Sequence, residues 1–300
     1  GTAEILGDAL RAEAVTTQVC DALARPLEAC YYLSGDMALI DVAASIGLTL
    51  IPENERDVMR ATSFGAGQSV AAAWRRGARK IIIGLGGSAT CDGGRGMAAA
   101  MQMAGIMPGD CEFTVLCDVD NPMCGPSGAA AVFAPQKGAS PQQVAELEAQ
   151  MCAWAAEIRR RTGIDVSGMP RAGAAGGIAG MLAGLYGASL VSGIDYVLDA
   201  LNFDEAATGA DLIITGEGRI DSQTLHGKTI SGVLVRAGRL GKPVAALAGS
   251  VADEGELESR FCRLRQIIPA GQPLSEAMKP EVAAANLRCA AAELIRGINV

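Results

Sequence analysis

Residues 80–97 read KIIIGLGGSATCDGGRGM, a run of three isoleucines followed by a segment with six glycines. A short apolar run that ends at glycine is typical of a buried strand. Glycine after such a strand lets backbone N–H groups approach an anion such as phosphate. The stretch therefore predicts a strand with an anion-binding loop, although tight turns that only pack a helix against the strand give the same pattern.

The same alternation of strand and helix patterns continues along the chain and predicts an α/β fold with a parallel sheet. Predicted strands cover residues 38–43, 80–85, 113–119, 211–216 and 243–249. Predicted helices, with apolar residues three and four positions apart, cover residues 67–78, 141–163, 176–188 and 229–242. Glycine or aspartate lies at or near the carboxyl end of each strand, so we expect the functional groups in the loops that follow.

Length and composition restrict the class of protein. The 300 residues suggest about two domains, and the softest boundary lies near residues 193–208. A net charge of -8, with no lysine or arginine run longer than the three arginines at 159–161, argues against nucleic acid. No apolar stretch is long enough to cross a membrane. The nine cysteines form no CxxC pair. We expect neither a disulfide framework nor a zinc site, and a reduced, cytoplasmic protein.

A second loop, CDVDNPMCGPSGAAAVFAPQKGAS, combines acids at a strand end with a lysine in a rigid turn. Asp118 and Asp120 follow the strand, Asn121 begins a turn, and Gln136 and Lys137 lie between proline and glycine. Carboxylates at strand ends in α/β folds commonly face the ligand. Lys137 could neutralise a phosphoryl or carboxylate group, or it could be a solvated surface charge.

A third stretch, RAGAAGGIAGMLAGL, spaces glycines along a predicted helix. Gly173, Gly176 and Gly177 could form an anion-binding helix start, or they could simply allow close helix packing.

The fourth stretch, IITGEGRIDSQTLHGKT, is the richest in reactive side chains. Glu217 and Asp221 follow a strand and suit Mg²⁺ shared with nucleotide phosphates. Arg219 and Lys228 suit the charge on a transferring phosphoryl group. His226 is the only histidine, and no G-x-S-x-G elbow precedes it, so a capping or turn role is expected for it.

These four stretches, in this order, resemble the class I glycerate kinase family. The resemblance implies transfer of phosphate from ATP to glycerate, typically at the 2-hydroxyl in bacterial members. It also implies two α/β domains, one flavodoxin-like and one inserted into it, with the active site in the cleft. We accordingly assign residues 1–202 to the inserted domain, with the first residues as the end of the N-terminal part of the other domain. Residues 203–300 form the C-terminal part of the flavodoxin-like domain.

The resemblance also suggests roles for particular residues. Asp92 or Asp118 would orient or deprotonate the glycerate hydroxyl, and Lys137 and Lys228 would neutralise phosphate or carboxylate. Mg²⁺ would be held by Glu217 and Asp221. The predicted substrate- and nucleotide-binding residues are Gly86, Gly87, Ser88, Gly93, Gly94, Asn121, Gln136, Gly173, Gly176, Gly177 and Arg219. The expected cofactors are ATP and Mg²⁺, the expected partner is glycerate, and a homodimer is compatible with the size.

The sequence departs from the family pattern at several positions. It opens with GTAEIL, which matches the last two letters of the family's DGGEGT motif, and the segment between Gly105 and Cys111 is short. Cys91 stands where the family usually has asparagine, and Arg171 replaces a glycine. A nucleotide- or metabolite-binding protein that lacks the N-terminal part of the site is the alternative function. A dinucleotide-dependent oxidoreductase is disfavoured because no fitted G-x-G-x-x-G motif is present.

Overall fold

The chain folds into two compact units, Gly1–Val197 and Leu198–Val300. The computed structural model describes residues 1–221, 229–252 and 259–296. The sequence-based boundary, after residue 202, lies a few residues beyond the division between the units. Each unit has its own sheet, and each is described by itself.

The first unit is built on a six-stranded mixed sheet in the order β1-β2-β3-β4-β5-β6. Its strands are β1 Glu13–Cys20, β2 Pro26–Ser34, β3 Met37–Asp41, β4 Lys80–Gly84, β5 Glu112–Leu116 and β6 Ser189–Val191. Strands β1, β2 and β3 pair antiparallel, whereas β3, β4, β5 and β6 pair parallel. The α/β class with a parallel sheet is confirmed, and the antiparallel β1–β2 pair adds to it.

The parallel strands end in register. Asp41 pairs with Gly84, Gly84 with Leu116, and Leu116 with Val191. The loops that follow these four strands therefore leave the sheet at one edge, where ligands commonly bind in α/β folds.

Helices pack around this sheet. They are α1 Thr2–Leu10, α2 Ala43–Ile46, α3 Phe64–Arg75, α4 Arg95–Met103, α5 Ala129–Phe133, α6 Pro141–Thr162, α7 Ala174–Tyr186 and α8 Gly193–Ala200, which spans the division between the units. Short 3₁₀ turns cover Leu48–Leu50, Glu53–Glu55 and Pro135–Lys137. Helix α6 illustrates the local rules, because Ser140 Oγ accepts the Gln143 N–H in a capping box and Gly163 ends the helix with φ 79°.

The core of the first unit lies between the sheet and these helices. Ile81 and Ile83 of β4 are fully buried, as are Met97 of α4 and Ile158 of α6. Burial on both faces explains why β4 reads as a continuous apolar run rather than an alternating one. Across the residues that the structure describes, no helix is both long and apolar enough to cross a membrane.

The second unit contains a three-stranded parallel sheet in the order β7-β8-β9. The strands are β7 Ile213–Ile220, β8 Val244–Val251 and β9 Arg263–Gln266, and the helices are α9 Phe203–Thr208, α10 Thr229–Arg239, α11 Leu274–Ala277 and α12 Pro280–Arg296. Leu247 of β8 packs in a small core with Leu294 of α12. Arg236 of α10 forms ion pairs with Asp199 and Asp204, which fastens α10 to α9.

Candidate functional site

Lys137 is a buried cation beneath the loop that follows β4. It ends the 3₁₀ turn after α5, and only 4% of its surface is exposed. Its Nζ donates hydrogen bonds to Ser88 Oγ (3.2 Å) and to the Thr90 carbonyl oxygen (2.6 Å). The structure therefore does not place Lys137 as a solvated surface charge, the other interpretation that its sequence allowed.

The surroundings of Lys137 disfavour its charged form. Burial lowers the pKa of Lys137 to about 8, and the nearby Cys91 and Asp92 only partly oppose this effect. An ammonium group has three N–H donors, and two acceptors among the described residues take two of them. The third donor and the uncompensated charge suit a ligand that brings negative charge.

Gly86 and Gly87 form the exposed part of the same loop, directly before the buried Ser88. A Cβ added at Gly86 would meet no atom within 4 Å, so packing does not require glycine there. Backbone hydrogen bonds from Leu48 N–H to the Gly87 carbonyl and from Ala89 N–H to the Ile46 carbonyl, both 2.8 Å, fix the loop. Among the described residues, the N–H groups of residues 86–88 have no acceptor. A fixed loop with free donors above a buried cation can bind an anion.

Asp92 occupies the start of helix α4 with its own carboxylate. Its Oδ2 accepts hydrogen bonds from Ser63 N–H and Ser63 Oγ (both 2.8 Å) and from Gly96 N–H (3.1 Å). Its Oδ1 accepts the Gly94 N–H (3.0 Å). The positive end of α4, next to the predicted binding residues Gly93 and Gly94, is thus neutralised from within the protein. The geometry gives Asp92 a positioning function, and its predicted role as a base is untested.

Several other glycines of the predicted binding set are closely packed, and three of them lie against backbone. Gly176 has φ +65°, and a Cβ there would approach the Thr90 carbonyl oxygen to 2.1 Å. Gly93 N–H also donates to the Gly176 carbonyl (2.9 Å). A Cβ at Gly177 would meet the Gly93 backbone, and one at Gly173 would meet the Pro122 carbonyl oxygen, whereas Gly93 and Gly94 lie closest to side chains. Gly176 and Gly177 therefore let α7 pack onto residues 90–93, which is one of the two interpretations that the third stretch allowed.

The predicted residues after β5 lie nearer the surface. Asp118 is exposed, and its Oδ1 accepts the N–H groups of Gly193 (2.8 Å) and of the following residue (3.3 Å) at the start of α8. Asn121 Nδ2 donates to the Ser127 carbonyl (2.8 Å), and Gln136 is exposed. Asp118 and Asn121 thus shape the loop, while no described contact fixes a role for Gln136.

In the second unit, β7 carries the predicted magnesium ligands. Glu217 Oε2 is buried and has no hydrogen-bond partner among the described residues. Asp221 lies one residue beyond the strand, with its Oδ2 3.3 Å from Arg219 Nε. A buried carboxylate oxygen without a donor suits a cation ligand. Lys228, together with His226, lies outside the described residues.

Two residues near the site were not singled out from the sequence. Asp41, at the end of β3, accepts the Ala3 N–H at the start of α1 (3.0 Å), and burial raises the pKa of its carboxyl. Ser63 precedes α3, and its Oγ accepts the Met97 N–H (2.9 Å) while donating to Asp92. An aspartate inside the predicted apolar strand 38–43 was a signal for Asp41. The pairing of Ser63 with Asp92 had no local signal.

Comparison with known proteins gives a consistent result. The model of the "Glycerate kinase family" matches residues 1–108 and 101–299, and the two matches meet at the short segment between α4 and β5. A glycerate kinase of Halalkalibacterium halodurans is 38% identical, covering 93% of this chain and 82% of the relative. The glycerate 2-kinase of Escherichia coli K12 is 39% identical, covering 85% and 74%.

A solved structure agrees with the sequence comparisons. The crystal structure of a protein described as a candidate glycerate kinase 2 from Salmonella typhimurium LT2 superposes with a TM-score of 0.77 at 35% identity, covering 97% of this chain and 85% of that one. The same family is found by the family model, by the curated relatives and by the fold. The chain therefore belongs to the glycerate kinase family.

Proposed function

We propose that this protein is an ATP-dependent glycerate kinase that phosphorylates the 2-hydroxyl of glycerate. Its curated relatives carry the names glycerate kinase and glycerate 2-kinase. The structural observation that carries the proposal is the buried Lys137 beneath the exposed Gly86–Gly87 loop. Both reactants of a glycerate kinase are anions, and this is a fixed, partly desolvated anion site at the carboxyl edge of a parallel sheet.

The residues of the first unit would act mainly by positioning and electrostatics, as is general in phosphoryl transfer. The N–H groups of residues 86–88 would donate to the oxygens of a phosphate or carboxylate, and Lys137 would compensate the negative charge. The charge of Lys137 is worth more in this desolvated setting than in water. Asp92 would hold the loop in this geometry through its four hydrogen bonds.

Glu217 and Asp221 would supply the carboxylates for Mg²⁺. These residues suit Mg²⁺ because Glu217 Oε2 is buried and has no hydrogen-bond partner among the described residues. Mg²⁺ is usually held by one or two carboxylates plus phosphate oxygens. When bound, Mg²⁺ would neutralise charge on the nucleotide phosphates. Arg219 lies beside Asp221 and would add positive charge at the same strand end.

The test is ADP release from the purified protein with ATP and Mg²⁺, in parallel reactions with D-glycerate, with L-glycerate and without an acceptor. Phosphorus NMR of the product distinguishes 2-phosphoglycerate from 3-phosphoglycerate. We expect D- or L-glycerate to stimulate ADP release well above the acceptor-free rate, with 2-phosphoglycerate as the product. ADP release that glycerate does not change, from protein that binds ATP, would refute the proposal.

Two variants link the activity to the site. Lys137→Met should lower turnover by orders of magnitude, because phosphate-charge compensation of this kind is worth several kcal/mol in a desolvated site. Lys242→Met is the matched control, since Lys242 lies in the turn before β8 and has no predicted role. Equal turnover in the two variants would mean that Lys137 is not part of the active site.

A further inference from the structure

A second cluster of reactive side chains lies in the first unit, away from Lys137 and the Gly86–Gly87 loop. Cys124, in the loop between β5 and α5, meets Glu148 and Cys152 of helix α6. One ligand atom from each, the two sulfurs and a carboxylate oxygen, lie within 4.8 Å of one another. Glu148 and Cys152 are four residues apart, so they share one face of the helix.

Glu148 provides a second observation that points to a cation. Its Oε1 accepts the Gly125 N–H (2.6 Å) and the Cys152 thiol (3.3 Å). Its Oε2 is buried and has no hydrogen-bond partner among the described residues. A buried carboxylate oxygen without a donor is costly in a folded protein, and a metal ion beside it would remove that cost.

The three ligands are held by two parts of the fold, the loop after β5 and helix α6. Cys124 N–H donates to the Ser167 carbonyl (3.0 Å), in the segment after α6. Cys152 lines a surface pocket with Arg159, Arg160 and Ser167, so its thiol can be reached from solvent. A preformed ligand set with an entry path is what a specific metal site requires.

We propose that Cys124, Glu148 and Cys152 bind a thiophilic divalent cation of the Zn²⁺ class. Two thiolates and one carboxylate leave the fourth tetrahedral position for water or another ligand. The ligand atoms now lie up to 4.8 Å from one another. Metal–ligand bonds of about 2.0 to 2.3 Å require them to lie closer together, and rotation of the side chains can provide that shift. Binding releases the two thiol protons, and no electrons are transferred.

The ion would tie the loop after β5 to helix α6. That loop leads into α5 and the turn that carries Lys137, so the clamp would stabilise the segment that delivers the buried cation. The charged groups around the pair are Glu148, Asp165, Arg159 and Arg160.

The experiment is a Co²⁺ titration of the full-length, chelator-treated and reduced protein, followed by the visible absorption of tetrahedral Co²⁺ and the thiolate charge-transfer band. We expect one Co²⁺ per chain, displaced by Zn²⁺. Cys124→Ser and Cys152→Ser should lose the charge-transfer intensity, and Glu148→Gln should weaken binding by about tenfold or more. Cys289→Ser removes an exposed cysteine of the second unit and should titrate like the unmodified protein.

Circular dichroism of the metal-free variants separates loss of a ligand from loss of the fold. If Cys124→Ser keeps its spectrum but loses the band, the site is supported. Unmodified protein that takes up no Co²⁺ after reduction overturns the proposal, and so does a charge-transfer band that survives in the Cys124→Ser and Cys152→Ser variants. Isolation of a Cys124–Cys152 disulfide with no metal uptake after reduction would assign the cluster to thiol oxidation instead and would also overturn it.

Discussion

Replacing Lys137 with methionine should change how the stability of the first unit depends on pH. Burial shifts the pKa of Lys137 from its ordinary 10.5 to about 8. One pKa unit corresponds to about 1.4 kcal/mol, so the protonated lysine costs the folded state about 3 kcal/mol relative to the unfolded chain. Lys137 is 4% exposed, and solvent screening therefore reduces this figure little. Methionine has a similar length and carries no charge.

The sign follows from proton binding in the two states. Between pH 8 and 10.5 the unfolded chain keeps the Lys137 proton and the folded chain releases it, so stability rises with pH across that window. The full cost of the buried charge is present below pH 8. Between pH 7 and pH 10.5 the free energy of unfolding of the unmodified protein should therefore rise by about 3 kcal/mol relative to that of Lys137→Met. The lost hydrogen bonds to Ser88 and Thr90 add only an offset that does not change with pH.

Both tryptophans, Trp74 and Trp154, lie in the first unit, which makes the measurement specific. Urea unfolding followed by tryptophan fluorescence, at a series of pH values from 7 to 10.5, gives the free energy of unfolding of that unit for both proteins. The difference between the two proteins removes the titration of the cysteines, which they share. A difference that stays constant within about 0.5 kcal/mol over this range would refute the claim that Lys137 is a desolvated cation.

The same pKa predicts the pH dependence of ligand binding. An anion bound at Lys137 favours its protonated form, so affinity should be constant below about pH 7 and weaken by about tenfold per pH unit above pH 8. Calorimetric titration with ATP or with glycerate measures this directly. At pH 9 the dissociation constant should be about 10-fold higher than at pH 7. A lysine with an ordinary pKa would leave the affinity unchanged over that interval.

Four further substitutions test the remaining contacts. Gly176→Ala should lower the melting temperature by the equivalent of about 2 kcal/mol or more, because its Cβ would meet the Thr90 carbonyl oxygen. Gly86→Ala should change the free energy of unfolding by no more than about 0.5 kcal/mol and should weaken substrate binding. Asp92→Asn should destabilise the first unit by about 1 to 3 kcal/mol in urea unfolding, since an amide cannot accept all four hydrogen bonds. Glu217→Gln should raise the Mg²⁺ concentration needed for half-maximal activity by about tenfold or more, with an unchanged melting temperature in the absence of metal.

The parallel part of the fold could be predicted from the sequence because its signal is local. Strands β4 and β5 are buried on both faces and so appear as short apolar runs between helical patterns. Strand β1 was not predicted because its sequence EAVTTQVC buries only Val15 and Val19 and is half polar, so it contains no apolar run. Strand β6 has three residues, too few for any periodicity.

The candidate site could be predicted only in part, because the sequence does not show what each glycine touches. Gly86 and Gly176 lie in similar glycine-rich stretches, yet one faces open space and the other lies against the Thr90 backbone. The residue type was the same and the tertiary neighbour differed. The burial of Lys137 likewise depends on α5 placing the following turn beneath the β4 loop, which no local pattern records.

The charge balance of this region explains why it would attract an anion rather than neutralise itself. Asp92, the nearby carboxylate, is already engaged by four donors and contributes little to the stabilisation of Lys137. Lys137 is the only buried lysine or arginine among the described residues. A protein that only needed a stable loop would be better served by an apolar side chain at this position, since a buried charge without a counter-ion opposes folding. The retained charge is therefore best explained by a ligand that supplies the missing negative partner.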